Sequence, residues 1–178
     1  MNMKTVAFVP IRLNSQRVAG KNLRLLSGEP LMCHILRTLC RVPEIDQVYV
    51  FCSDESIRPL LPEGVRFLRR DASLDRDETL GREIYDAFTR EVDADLYVLA
   101  HATSPFIRAA TISDALGRVR SGEYDSAFSA ECIRTFAWYG GRPLNYSLDA
   151  IPRTQTIEPV YILSLIHISE PTRPEPIS

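Results

Sequence analysis

The chain has 178 residues, 45% of them hydrophobic and 25% charged, with a formal net charge of -2. These values match ordinary folded usage, and they exclude a disordered chain, a collagen-like repeat, a disulfide-dense miniprotein and a global basic field for nucleic acid. No apolar run approaches the roughly 20 residues of a membrane span, and Met1-Asn2-Met3-Lys4 leads straight into a strand pattern, so neither a leader peptide nor a membrane partner is expected.

Thr5 to Ile11 is a short continuous apolar run, the pattern of a strand buried on both faces of a parallel sheet. A polar loop follows, from Arg12 to about Ser27. Pro30 suits a first helical position, and Leu31, Met32, Ile35, Leu36, Leu39 and Cys40 recur at helical spacing, so 30–41 is a predicted amphipathic helix. Gln47 to Cys52 is a second strand, 54–61 a short helix and Val65 to Leu68 a third strand. Helices are predicted over 78–91 and 109–121, with strands at Leu96 to Ala100 and Ser126 to Cys132. Strands alternating with helices imply a three-layer α/β fold with a mostly parallel sheet. The four cysteines, Cys33, Cys40, Cys52 and Cys132, have no zinc or redox spacing and sit among apolar neighbours, so they are expected as buried, reduced thiols.

In such a sheet, ligands bind beyond the carboxyl ends of the strands. The segments there are 12–22, Ser53-Asp54, Arg69-Arg70-Asp71, His101 to Pro105 and Glu131 to Tyr139. Polar and basic residues therefore gather on one rim. The first segment carries Arg12, Asn14, Arg17, Lys21 and Asn22 around Gly20. It lacks the Walker A pattern, which needs a second glycine and a Ser or Thr after the lysine. Dispersed cations and backbone N–H groups suit a polyphosphate; the same residues also suit an ordinary solvated loop.

The full string is more specific than its charges. A strand ending in Pro10-Ile11-Arg12, followed by Asn14-Ser15, Arg17 and Gly20-Lys21-Asn22, resembles the nucleotide-binding signature of cytidylyltransferases that activate acidic sugars. These are the acylneuraminate (CMP-sialic acid synthetase) type and its relatives for other 2-keto-3-deoxy sugar acids. The likeness continues through Gly28-Glu29-Pro30-Leu31, Ser53-Asp54, Thr103-Ser104-Pro105-Phe106 and Pro152-Arg153-Thr154-Gln155, covering about residues 4–161.

The resemblance implies a Rossmann-like fold of the nucleotide-diphospho-sugar transferase type. It also implies transfer of CMP from CTP to an acidic, sialic acid-like sugar, with release of pyrophosphate. Arg12 and Lys21 look like the triphosphate-binding, catalytic pair. Asn14, Arg17, Asn22, Arg69, His101, Thr103 and Ser104 complete the implied nucleotide site. Relatives often have glutamine where this chain has His101; a strand-end histidine satisfied by backbone is the bland alternative. Tyr139, Arg153 and Gln155 are candidate sugar contacts; the stretch around Tyr139 suits a dimer contact as well, and Arg153 suits a carboxylate, although a rim salt bridge fits it equally. Mg²⁺ or another divalent cation is implied, with ligands lying largely in a C-terminal part beyond the likeness. Asp54, Asp71, Asp75 and Asp77 fit helix caps or surface charges better than metal ligands. A cytoplasmic enzyme, homodimeric at full length, follows from the same likeness. The other readings are a nucleotidyltransferase for another sugar or polyol phosphate, and an inert nucleotide-binding fragment.

From about Leu163 the likeness stops. Ser164-Leu165-Ile166-His167-Ile168-Ser169-Glu170-Pro171-Thr172-Arg173 resembles a translated sequencing-adapter read-through. The expected division is therefore a nucleotidyltransferase domain over 1–162, incomplete at its C-terminus, and a non-native tail over 163–178. The apolar residues of 162–168 could still form a strand or cover exposed core.

Overall fold

A computed structural model describes residues 3–14 and 18–169. The sheet is built from the inside out. The first strand, β1 (Thr5–Ile11), has the continuous apolar run, and all but one of its residues are fully buried. Its alternation sends Ala7, Val9 and Ile11 to one face, and Val6 and Phe8 to the other. β2 (Leu25–Leu26) and β3 (Glu29–Pro30) form a small antiparallel ribbon within the polar loop. β4 (Gln47–Cys52) pairs parallel to β1, from Val6 opposite Gln47 to Ile11 opposite Cys52. β5 (Val65–Arg69) pairs parallel to β4. β6 (Leu96–Ala100) pairs parallel to the other side of β1.

Helices cover both faces. α1 (Leu31–Cys40) and α3 (Ala109–Arg120) bury Met32, Ile35, Leu36, Leu39, Ile112, Leu116 and Val119 against the Ala7, Val9 and Ile11 face. α2 (Gly81–Glu91) covers the opposite face, where Phe88 stacks on Phe8 with centroids 4.0 Å apart and planes 7° from parallel. Tyr49, Phe51 and Tyr97 meet Phe88 edge-on, the favoured aromatic geometry. The Glu83 carboxylate accepts from the Leu80 backbone N–H at 2.7 Å, satisfying a donor at the start of α2.

This is the expected three-layer α/β architecture, with three local corrections. Pro30 lies just before α1, not inside it. The segment Glu55–Leu60 forms a 3-10 helix, consistent with Pro59 within it, which removes a backbone donor. Cys33 and Cys52 are buried, whereas Cys40 and Cys132 are exposed; all four are free thiols.

Three further strands follow: β7 (Ser126–Ile133), β8 (Trp138–Tyr139) and β9 (Arg142–Pro143). The last, β10 (Val160–Ser169), returns to the sheet, whose order is β5-β4-β1-β6-β10-β7. β10 is antiparallel to β6, from Ile166 opposite Ala100 to Ser169 opposite Tyr97. Ile166 and Ile168 are buried in the α1 and α3 layer. The strand tendency of the tail is thus realised.

The chain divides into two compact units, residues 1–127 with 165–178, and residues 128–164. Within the smaller unit, Gly140 and Gly141 have φ of 60° and 79° and turn β8 into the antiparallel β9. Asn145 ties that unit together: it accepts from the Ala137 N–H and donates to the carbonyls of Thr135 and Glu158. Among the described residues no helix is long and apolar enough to cross a membrane.

Candidate active site

β1 and β6 run parallel side by side, so the segments leaving their carboxyl ends meet. There, Pro10, Arg12, Lys21, Asn22, His101, Ala102 and Thr103 line a polar cavity of about 170 Å³. The loop after β1 must turn back on itself to bring Lys21 to this place. Gly20 makes the turn in the left-handed region, at φ 60°. The Lys21 N–H then donates to the Val18 carbonyl at 3.2 Å, and the Leu23 N–H donates to the Gly20 carbonyl at 2.9 Å. Asn22 is buried, and its amide donates to the Arg12 carbonyl at 3.0 Å, which clamps the two ends of the loop together. The role of Asn22 seen here is to brace the loop.

Arg12 leaves β1 and reaches the turn after β5. Its Nη1 donates to the carbonyls of Asp75 and Arg76, at 3.1 and 3.4 Å, and to Asp77 Oδ1 at 2.8 Å. Nε and Nη2 have no protein partner among the described residues. Lys21 is half-buried and has no ion pair among them. His101 is also half-buried and makes no side-chain hydrogen bond there. Burial, and next the nearby Lys21 ammonium, push its imidazole below the ordinary value. The cavity lining therefore combines the Arg12 guanidinium, already paired with Asp77, the Lys21 ammonium and an imidazole biased toward its neutral form.

The other sequence-predicted residues are placed as follows. Thr103 lines the cavity and is exposed. Ser104 closes the turn after β6 through its N–H to the His101 carbonyl at 3.0 Å. Asn14 is exposed and outside the cavity lining. Arg17 lies outside the described residues. Arg69 points to solvent, with its side chain 73% exposed and Glu55 at 3.8 Å. Tyr139, Arg153 and Gln155 belong to the smaller unit and are exposed; among the described residues no hydrogen bond or ion pair joins them. Asp54 and Asp71 are the expected caps, accepting from the N–H groups of Ser56 and Ser73 at 2.8 and 2.7 Å.

Sequence reasoning missed Arg70, and Asp75 is neither the cap nor the surface charge expected of it, because its carboxylate meets Arg70 and Ser53. Arg70 is 2% exposed, pairs with the Asp75 carboxylate and donates to the Ile11 carbonyl at 3.0 Å. Arg69 and Arg70 look equivalent in sequence. The signal that separates them is strand alternation, which turns one outward at the end of β5 and its neighbour inward. Among the described residues no group of three or more His, Cys, Asp or Glu side chains converges to hold a metal ion. The implied divalent cation finds no such cradle among them.

The molecule is thus a three-layer α/β protein with a mostly parallel sheet and a cationic, glycine-turned loop at the end of its first strand. A cytidylyltransferase family model matches residues 6–139, and the chain belongs to that family. It is 25% identical over 132 residues to 3-deoxy-manno-octulosonate cytidylyltransferase 2 of Hydrogenovibrio crunogenus, covering 74% of this chain and 53% of that protein. It is also 25% identical over 159 residues to N-acylneuraminate cytidylyltransferase A of Danio rerio, covering 84% and 37%. The fold is similar to that of a CMP:2-keto-3-deoxy-manno-octonic acid synthetase complexed with CTP, with a TM-score of 0.72 at 18% identity over 94% of this chain and 74% of that one. The chain spans about half or less of the length of these curated relatives.

Proposed function

We propose that this chain supplies the nucleotide-binding part of an enzyme that transfers CMP from CTP to an acidic sugar of the 2-keto-3-deoxy, sialic acid-like class. The observation that carries the reading is the convergence of Arg12, Lys21, His101 and Thr103 on one cavity beyond β1 and β6. In the reaction, a sugar hydroxyl attacks the α-phosphorus, the bond to the β-phosphate oxygen breaks, and pyrophosphate leaves. Negative charge grows on the departing group. Lys21, a compact charge, and Arg12, a planar fork, neutralise it, and the fixed loop holds the phosphates in line. The residues over 1–162 carry this role in the proposal, and 163–178 is a tail of separate origin. Tyr139, Arg153 and Gln155 are kept as sugar contacts, and dimerisation and a cytoplasmic setting as properties of the whole enzyme.

Calorimetric titration of the chain with CTP, UTP, ATP and GTP tests the nucleotide, and pyrophosphate release with a panel of 2-keto-3-deoxy sugar acids tests the acceptor. CTP is expected to bind most tightly. Preference for another triphosphate overturns the cytidylyl assignment. Binding of CTP without turnover on any sugar leaves an inert nucleotide-binding fragment, and turnover only on a polyol phosphate moves the substrate class.

A further inference from the structure

Arg12 has an unusual amount of protein built behind it. The Asp75 carboxylate pairs with the Arg70 guanidinium through one oxygen and accepts the Ser53 hydroxyl through the other. Arg70 is nearly inaccessible and also holds two strand ends, donating to the carbonyls of Ile11 in β1 and Phe51 in β4, at 3.0 and 3.4 Å. The Phe51 ring lies 5.7 Å beneath its guanidinium. The Asp75 main-chain carbonyl in turn accepts from Arg12. Asp75 is thus gripped through its side chain by Ser53 and by Arg70, which β1 and β4 hold, and through its backbone it grips the residue that follows β1.

The arrangement needs an ionised carboxylate. A buried guanidinium without a counter-charge is strongly unfavourable, and the Arg70 Nε already lacks a hydrogen-bond partner among the described residues. An amide at position 75 would lose the charge that Arg70 pairs with, and could face Arg70 with its oxygen only by reversing the hydrogen bond to Ser53. The 72–77 turn would then drift, carrying with it the three acceptors that fix Arg12. A long side chain bound by fixed acceptors is ordered before its ligand arrives, and that ordering is not charged against binding.

We propose that Asp75 is a positioning residue for polyphosphate recognition: through Arg70 and Ser53 it holds the 72–77 turn in place, and the turn aims Arg12 at the cavity. This rests on the nucleotide-site reading above. Asp75 itself does not touch the nucleotide.

The test is selectivity among cytidine nucleotides, measured by calorimetry on the full chain. Asp75→Asn is expected to weaken CTP about tenfold while moving CMP less than about threefold, since contacting groups couple by amounts of this order. In an Arg12→Ala background the same change is expected to leave the CTP to CMP ratio unmoved. Equal losses for both nucleotides, or an undiminished loss in the Arg12→Ala background, overturn the proposal in favour of a general structural role. If Asp75→Asn fails to fold, Ser53→Ala carries the test; it removes one of the carboxylate's two partners and is expected to lower the same ratio about threefold. An unchanged ratio there also overturns the proposal. Failure of the unmodified chain to bind CTP would bring down the nucleotide-site reading and this proposal with it, whereas normal CTP binding with an unaltered ratio removes Asp75 alone.

Discussion

Replacing Lys21 with alanine isolates the charge that the first loop brings to the cavity. The ammonium is half-buried and lies near enough to His101 to depress its titration. A unit charge about 4 Å from another interacts by about 4 kcal/mol at an effective dielectric constant of 20. Partial exposure and salt screening reduce that figure, as they do for ion pairs at surfaces. About 2 kcal/mol remains, which is roughly 30-fold in the Kd for CTP. Calorimetric titration at two salt concentrations reads this loss, with a shallower salt dependence expected for the variant. A second, ligand-free measurement is the NMR titration of the His101 imidazole. Losing Lys21 removes the second cause of its depression, so the variant's His101 should titrate higher than the parent's while burial still keeps it below the ordinary value. The melting temperature should change by about 2 °C or less, as for a substitution with no buried partner. An unmoved His101 titration together with unchanged CTP affinity would show that the ammonium faces away from the cavity and would refute the reasoning.

His101 also predicts a pH dependence. Its folded-state value is depressed, so the contribution to stability is fully present above the unfolded value of about 6.5 and is lost as pH falls through the folded value. A polyanion in the cavity reverses the bias, so CTP binding below about pH 6.5 should take up a proton; calorimetry in buffers of different ionisation enthalpy detects it, and His101→Gln should abolish it. Phe88→Ala removes the centre of the aromatic cluster under α2, where Phe88 is fully buried, and should cost about 3–5 kcal/mol in denaturant unfolding. A loss under about 1 kcal/mol would mean that the site collapses around the cavity more completely than its stacked rings suggest.

Much of this was legible because the chemistry is local. The strands β1, β4 and β6 announce themselves as apolar runs, α1 by its spacing, and the Arg12 to Asn22 loop by glycine and cations near one strand end. What escaped depends on partners distant in sequence. Strand alternation separates Arg69 from Arg70, but nothing in the string Leu68-Arg69-Arg70-Asp71 names the carbonyls of Ile11 and Phe51 as the partners of Arg70. Asp75 reads as a surface carboxylate until Ser53 and Arg70 are brought beside it. Cys40 has apolar neighbours in sequence yet sits at the exposed end of α1. The 3-10 form of 55–60 was the exception: Pro59 was visible and its consequence was local.

The antiparallel seat of β10 has a consequence for solubility. Ile166, His167, Ile168 and Ser169 shield the outer edge of β6, whose N–H and C=O groups would otherwise be open to another chain. The edge accepts them because their apolar side chains fall on alternate positions, a test of pattern that any segment of similar period can pass, whatever its ancestry. A protease cut or frameshift before Ile166 would leave the α/β layers their helices but expose an adhesive strand. Aggregation, more than unfolding, is then the failure to watch for when the chain is shortened.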